Sequence, residues 1–322
     1  MPRRPTGRIV AGVDGSPSSL QALEWAAREA QQRDVTLRIV HALHVMLFKV
    51  PFGVLAPSPI DPQAEDDGRT LLAEAEKRVR DWHPEVRVET ALVVGPATQA
   101  LVDAAAEADL VVVGSRGLSG VGAAFVGSVG VELAAHAACP VVVLPPVRER
   151  PEDDGLAGCD PALTEVVCGP RAKAPIVVGV DGSRPSRSAL RFAVVEAALT
   201  GRGLVAVNAW QRPAQADSLV APPADPAIEV DAAQLAEGSR ALLERSLAPW
   251  REIYPRTRFE ERAVDGHPAQ VLLDAAREAS LLVLGSRGRG GFTGLLFGSI
   301  SQAVLHRAEA PVAVIRVSTE AR

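Results

Sequence analysis

Short runs built almost entirely of Val, Ile, Leu and Ala alternate along this chain with longer stretches in which apolar residues return every three or four positions. The first run, Ile9 to Val13, shows no polar alternation and suits a strand covered on both faces. After it, Leu20, Leu23, Ala27 and Ala30 share one face of a helix that Ser16 or Ser18 can cap. The pattern predicts further strands at 36–43, 86–93, 109–115 and 140–145, with helices around 65–82, over 95–108 and between the last two strands. Strands alternating with helices imply a parallel sheet with helices on both faces and right-handed crossovers.

The whole order then recurs. "IVAGVDGSPSS" at 9–19 returns as "IVVGVDGSRPS" at 176–186, an offset of 167. "HPEVRV" at 83–88 is answered by "YPRTRF" at 254–259, and "HAACPVVVLP" at 136–145 by "HRAEAPVAVI" at 306–315, at offsets of 171 and about 170. The second copy is therefore slightly longer in the Pro-rich connection after its second strand. Its strands are predicted at 203–210, 258–265, 280–286 and 311–317, with Leu190, Val194 and Ala197 on the face of its first helix and a second helix around 235–250. Between the copies, residues 145–175 are charged and rich in Pro and Gly, the composition of a linker. The division is a first domain over 1–146, a linker over 147–173 and a second domain over 174–322. The last strand of each copy ends as an apolar edge, a liability unless paired. The copies are expected to pair through these edges, and whole chains to form a twofold homodimer.

Composition narrows the function. With 322 residues, 47% of them hydrophobic, the chain can bury a sizeable core. A net charge of -5 lacks the basic footprint of a nucleic-acid binder. No apolar stretch approaches the ~18 residues needed to span a bilayer, and the first residues do not read as a secretion signal, so a cytoplasmic protein without membrane contact is expected. Cys139, Cys159 and Cys168 are odd in number and lack metal-ligand company; Cys159 and Cys168, both in the linker, are read as reduced thiols or a redox-sensitive pair.

Ligands of parallel α/β sheets sit beyond the carboxyl ends of the strands, and two features project there in each copy. After the first strand comes Asp14 or Asp181; after the fourth comes a glycine-rich loop, "GSRGLSGVGAAFVGS" at 114–128 and "GSRGRGGFTGLLFGS" at 285–299. Missing side chains let main-chain N–H groups approach an oxyanion, and the helix that follows adds partial positive charge at its start. That suits a phosphate chain. Ser128 and Ser299 either donate to a phosphate oxygen or cap the last helix. Arg116 and Arg287 either reach phosphates or stand exposed. Asp14 and Asp181 either brace the Gly-Ser turn that follows them or accept from a sugar hydroxyl or a base amine. His41, His136 and His306 read as packed or capping imidazoles. Lys49, Lys77 and Lys173 are the chain's lysines and none lies in a glycine loop, which excludes a Walker-type mechanism.

The spacings Gly114-x2-Gly117-x9-Gly127-Ser128 and Gly285-x2-Gly288-x9-Gly298-Ser299, with the opening "VDGS" and the closing "H-x3-P-V" segments, resemble the ATP-binding signature of the universal stress protein family in its tandem-domain form. The resemblance spans nearly all of both copies. It implies two tandem five-stranded parallel-sheet α/β domains, Rossmann-like and similar to the adenine nucleotide α-hydrolases, each holding ATP with or without Mg²⁺. Adenine would be read by main-chain groups at Ala42 and Ala209, with Asp14 and Asp181 near ribose and base. The signature glycines, Ser128 and Ser299, and the amides of Val129 and Ile300 would hold phosphates. The first copy departs from the usual spacer, with "LSGVGAAFV" where the second has "RGGFTGLLF". The resulting expectation is an ATP-binding stress-response regulator with an unidentified protein partner, set against a slow adenine-nucleotide hydrolase and a nucleotide-independent interaction module.

Overall fold

The computed structural model describes residues 6–43, 47–49, 55–57, 61–115, 127–146, 173–211, 232–288 and 297–317. In the first copy these form β1 (Arg8–Gly12), α1 (Pro17–Arg33), β2 (Thr36–Leu43), a short antiparallel pair β3 (Leu47–Lys49) and β4 (Leu55–Pro57), α2 (Pro62–Trp82), β5 (Val88–Val94), α3 (Ala97–Ala105), β6 (Leu110–Gly114), α4 (Ser128–His136) and β7 (Val141–Leu144). The second copy gives β8 (Ile176–Gly179), α5 (Arg184–Thr200), β9 (Leu204–Trp210), α6 (Ala232–Ile253), β10 (Phe259–Asp265), α7 (Pro268–Ala276), β11 (Leu281–Gly285), α8 (Ser299–Arg307) and β12 (Val312–Ile315). The β3–β4 pair is additional to the sequence reading, because three-residue strands are too short to show alternation. The second-copy connection at 212–231 and the linker thiols Cys159 and Cys168 lie outside the described residues, whereas Cys139 is buried.

Local chemistry sets the element ends. Ser16 caps α1 by accepting from Ser19 N, with Pro17 in the first turn; Ser183 caps α5 by accepting from Ser186 N, with Pro185 in the same role. Of the two serines considered as the first cap, Ser16 serves. At their other ends α1 stops on Asp34 and α5 on Gly201, both left-handed.

The sheet runs β10-β9-β8-β11-β12-β7-β6-β1-β2-β5, and every pair within a copy is parallel. Strand order in each copy reverses beside its first strand, between β1 and β6 and between β8 and β11, which opens a crevice at those carboxyl ends. The apolar strands bury both faces. Leu23, Ala26, Leu72 and Val79 of α1 and α2 pack with Ile9, Leu37 and Val112 on one side, and Leu101 and Leu133 of α3 and α4 pack with Val10, Val111 and Val113 on the other. Among the described residues, no helix is long and apolar enough to cross a membrane.

The copies join through their last strands, as the apolar edges led one to expect. β7 and β12 pair antiparallel, Val141 opposite Val314, Val142 opposite Ala313 and Val143 opposite Val312. Both apolar layers continue across this seam. Above it α1 meets α5, and two equivalent glutamates come together there, Glu29 and Glu196, 3% and 1% exposed. Arg33 binds both, at 3.1 Å from Glu29 and in a short contact with Glu196. Its own counterpart in the second copy is Thr200, which donates to the Glu196 backbone carbonyl at 2.7 Å. Burial, reinforced by the neighbouring Glu29 charge and opposed by Arg33, pushes the Glu196 carboxyl up to about 8.

The folded chain thus holds a proton that the unfolded chain releases above 4.5. Stability from this group is complete below that point and declines as pH rises to about 8. Urea midpoints measured from about pH 5 to about pH 9 are expected to fall, and Glu196→Gln, which keeps the neutral form, is expected to flatten that slope.

Candidate functional site

Asp14 and Asp181 occupy equivalent turns at the crevice. Gly15 and Gly182 follow them with φ of +83° and +78°, a left-handed bend open to glycine. One carboxylate oxygen of each Asp accepts from the turn, Asp14 Oδ1 from Ser16 N at 3.0 Å and Asp181 Oδ1 from Ser183 N at 2.9 Å. Their backbone amides donate to Ser19 Oγ at 3.4 Å and Ser186 Oγ at 3.1 Å. The turn-bracing role is therefore present, carried by one oxygen. The other oxygen of Asp181 faces the glycine loop: a Cβ built on Gly288 would lie 2.9 Å from Asp181 Oδ2. The two features that the sequence placed at separate strand ends thus meet in the second copy.

The first glycine of each signature has a packing reason. A Cβ on Gly114 would fall 2.6 Å from the Ser18 carbonyl carbon, and one on Gly285 would fall 2.8 Å from that of Pro185. Only bare backbone lets β6 and β11 pass the first turns of α1 and α5 this closely. The third glycine closes the loop. Gly127 N donates to Ser115 O at 2.6 Å and Gly298 N to Ser286 O at 2.8 Å, which returns the chain to the strand end it left.

Gly127 and Gly298 are themselves the cap residues of α4 and α8, in extended conformation and without a side-chain cap bond. Ser128 and Ser299 are the first helical residues, both exposed, so neither hydroxyl caps its helix. α3 and α7 also begin without a side-chain cap, but α4 and α8 alone follow the glycine loops. The starting amides of α4 and α8, including those of Val129 and Ile300, are left to an outside acceptor or water. Ala42 and Ala209 stand next to last in β2 and β9 and are half-buried. Arg116 and Gly117 lie outside the described residues.

Arg287 is exposed at the loop entrance. Beside it stands Arg316, which sequence reading passed over. Ser286 N donates to Ile315 O at 2.9 Å, which brings the two arginines to neighbouring strand ends. Burial first, and the Arg287 charge second, lower the Arg316 pKa. Arg316 also donates to Ala137 O of the first copy at 3.4 Å, and the matching place in that copy is Pro145. The second site is therefore more cationic than the first, and its arginine reaches across the seam. Two further residues were missed or undervalued. His41 Nδ1 lies 2.8 Å from Val13 O, and Asn208 Nδ2 donates to Val180 O at 2.5 Å, at the same place in each copy. Among the described residues, no group of three or more His, Cys, Asp or Glu is placed to hold a metal ion.

The universal stress protein family model matches residues 5–145 and 174–316. The chain belongs to the universal stress protein family. A universal stress protein of Mycolicibacterium smegmatis is 35% identical over 311 residues, covering 96% of each chain. One of Mycobacterium tuberculosis is 36% identical over 318 residues, again covering 96% of each. Among solved structures, a universal stress protein from Archaeoglobus fulgidus matches with a TM-score of 0.65 at 17% identity, covering 98% of both chains, a likeness of fold. The relatives are tandem in the same way, so duplication within one chain is the family arrangement represented here.

Side-chain additions at the signature glycines are expected to separate packing from ligand contact. Gly285→Ala and Gly114→Ala push into backbone and should cost about 1–3 kcal/mol of stability. Gly127→Ala meets only Ser115 O, at 3.5 Å, and should unfold near the parent temperature. Gly288→Ala meets the movable end of Asp181 and is expected to leave stability nearly unchanged while displacing that carboxylate. Thermal unfolding of the four variants followed by circular dichroism checks this ordering.

Proposed function

We propose that each copy binds ATP at the carboxyl end of its sheet, and that the protein is a nucleotide-responsive regulator that acts in the cytoplasm through a protein partner. The observation that carries this reading is the meeting of Asp181 with the glycine loop. A carboxylate oxygen directed at Gly288 and an uncapped helix start at Gly298, which packs against Ser286 and Arg287, come together at the strand end, with Arg316 beside Arg287. Sugar hydroxyls suit the carboxylate, and phosphates suit the amides and guanidinium groups. In this reading Gly117, Gly288, Gly127, Gly298, Ser128 and Ser299 border the phosphate chain, while Gly114 and Gly285 serve the packing beneath it.

Regulation fits this arrangement better than turnover. Neither glycine loop supplies a lysine to cross the phosphates. One oxygen of each Asp is already committed to the turn. Ligand occupancy then acts by favouring one of two states of the chain, which requires tighter binding to one of them. The seam is the element that both sites share: Arg316 leaves the second site and ends on the carboxyl end of α4, whose opposite end starts the phosphate side of the first.

Mass spectrometry of small molecules released from purified, heat-denatured protein is expected to show adenine nucleotide. Calorimetric titration of the stripped chain should find two ATP sites, with one lost in Asp14→Ala and the other in Asp181→Ala, each weakened at least about tenfold. A folded chain that carries and takes up no nucleotide would favour the interaction-module reading. Steady phosphate release that is lost in Asp181→Ala, with ATP binding retained, would favour the hydrolase.

A further inference from the structure

At the carboxyl end of the first two strands, the backbone ladder stops one bond early in both copies. Thr36 N donates to Gly7 O at 3.0 Å and Val13 N to Val40 O at 2.9 Å, so the N–H and C=O groups of Thr36, Arg38, Val40 and Ala42 are those turned toward β1. The alternation would next bring the Ala42 amide to Val13 O. The His41 side chain holds that carbonyl instead, Nδ1 to Val13 O at 2.8 Å. Since a carbonyl only accepts, Nδ1 carries the proton. In the second copy Ile176 N donates to Gly203 O and Val180 N to Val207 O, each at 2.8 Å, and Asn208 Nδ2 takes Val180 O at 2.5 Å.

His41 and Asn208 are the same position of the repeat, 167 residues apart, and the helix packed over each has changed to match. Over His41, α2 presents Gly68, where a Cβ would fall 3.2 Å from His41 Cδ2 and 2.9 Å from Leu92 Cδ1. Over Asn208, α6 presents buried Ser239, the residue equivalent to Gly68, and its hydroxyl donates to Asn208 Oδ1 at 2.6 Å. A ring is given space; a smaller amide is given a partner that fixes which way it points. Either pair holds a side-chain N–H on the carbonyl that immediately precedes Asp14 or Asp181.

We propose that residue 41/208 is the positioning residue for the base of the bound nucleotide. By occupying Val13 O or Val180 O, it keeps the N–H and C=O of Ala42 or Ala209 directed into the crevice instead of letting the ladder close over them. A donor and an acceptor side by side on one edge of the strand match the acceptor N1 and donor N6 of adenine, and in the same pose guanine presents the reverse order. The pairs His41–Gly68 and Asn208–Ser239 are two solutions to this one requirement. The inference rests on the nucleotide reading above, with adenine read at Ala42 and Ala209, and adds the side chains that keep those main-chain groups open.

The test uses the full chain with the second site disabled by Asp181→Ala, so that calorimetry with ATP and with GTP reports the first site. Adding His41→Ala is expected to weaken ATP binding about tenfold and to narrow the preference for ATP over GTP, with the thermal midpoint little changed. His41→Asn with Gly68→Ser, the second copy's pair, is expected to return ATP affinity to within about threefold of the parent. Undiminished ATP affinity in His41→Ala, or a loss that the paired replacement does not restore, would overturn the proposal while leaving the nucleotide reading intact. A folded parent that binds no ATP would remove both. If His41→Ala does not fold, Asn208→His with Ser239→Gly in a chain carrying Asp14→Ala decides the matter: ATP retained within about threefold supports the positioning role, and its loss contradicts it.

Discussion

The crevice in each copy exists because a strand end passes the first turn of a helix at a distance that excludes any side chain. Gly114 against Ser18 and Gly285 against Pro185 set that distance. With it fixed, the loop leaving the fourth strand begins beside the turn that carries Asp14 or Asp181. The chain can then return to its starting point through the Gly127 and Gly298 amides and deliver an uncapped helix start to the same crevice. A methyl group at either first glycine would move the strand away from the helix and the two halves of the site away from each other.

A second constraint joins the copies. Each five-stranded sheet leaves one apolar edge after its last strand, and the antiparallel β7–β12 pairing removes both edges at once. The outer strands of the resulting ten-stranded sheet are β5 and β10, and β10 carries Glu260, Glu261 and Arg262 along its length, charges that discourage further pairing. Near-twofold placement brings like residues together at the seam, which is why two glutamates meet there and burial beside Glu29 pushes the Glu196 carboxyl up. The sequence difference between Arg33 and Thr200 breaks that symmetry, as Arg316 against Pro145 does near the sites. The two copies share a scaffold and differ in the charge around it.

Much of this was legible from residues alone. Apolar runs marked the central strands of each copy, because strands buried on both faces leave no room for polar alternation, and the repeat with its intervening helices marked the outer ones and the parallel order. The equal spacing of the glycines marked both loops, and edge reasoning anticipated the seam. Element ends were less visible: the helix read over 95–108 spans Ala97–Ala105, and those read around 65–82 and 235–250 start three residues earlier. Near its end α6 even includes Pro249. Nothing in the sequence marked Asn208, Ser239 or Gly68 as a matched set, since residues 27 to 31 apart become neighbours only when strand and helix pack. Arg316 gave a faint signal, a lone cation within the apolar run read over 311–317, but its neighbours Arg287 and Ala137 are set by strand register. Glu29 and Glu196 carried no mark in the sequence, because only the seam between the copies buries them.

Amide hydrogen exchange, followed by mass spectrometry with and without saturating ATP, reads these surfaces together. Slowed exchange confined to the ends of β2 and β9 around Ala42 and Ala209, and to the first turns of α4 and α8 at Val129 and Ile300, is the predicted result. Exchange unchanged in those four segments, with ATP demonstrably bound elsewhere on the chain, would contradict the placement of the nucleotide at the strand ends.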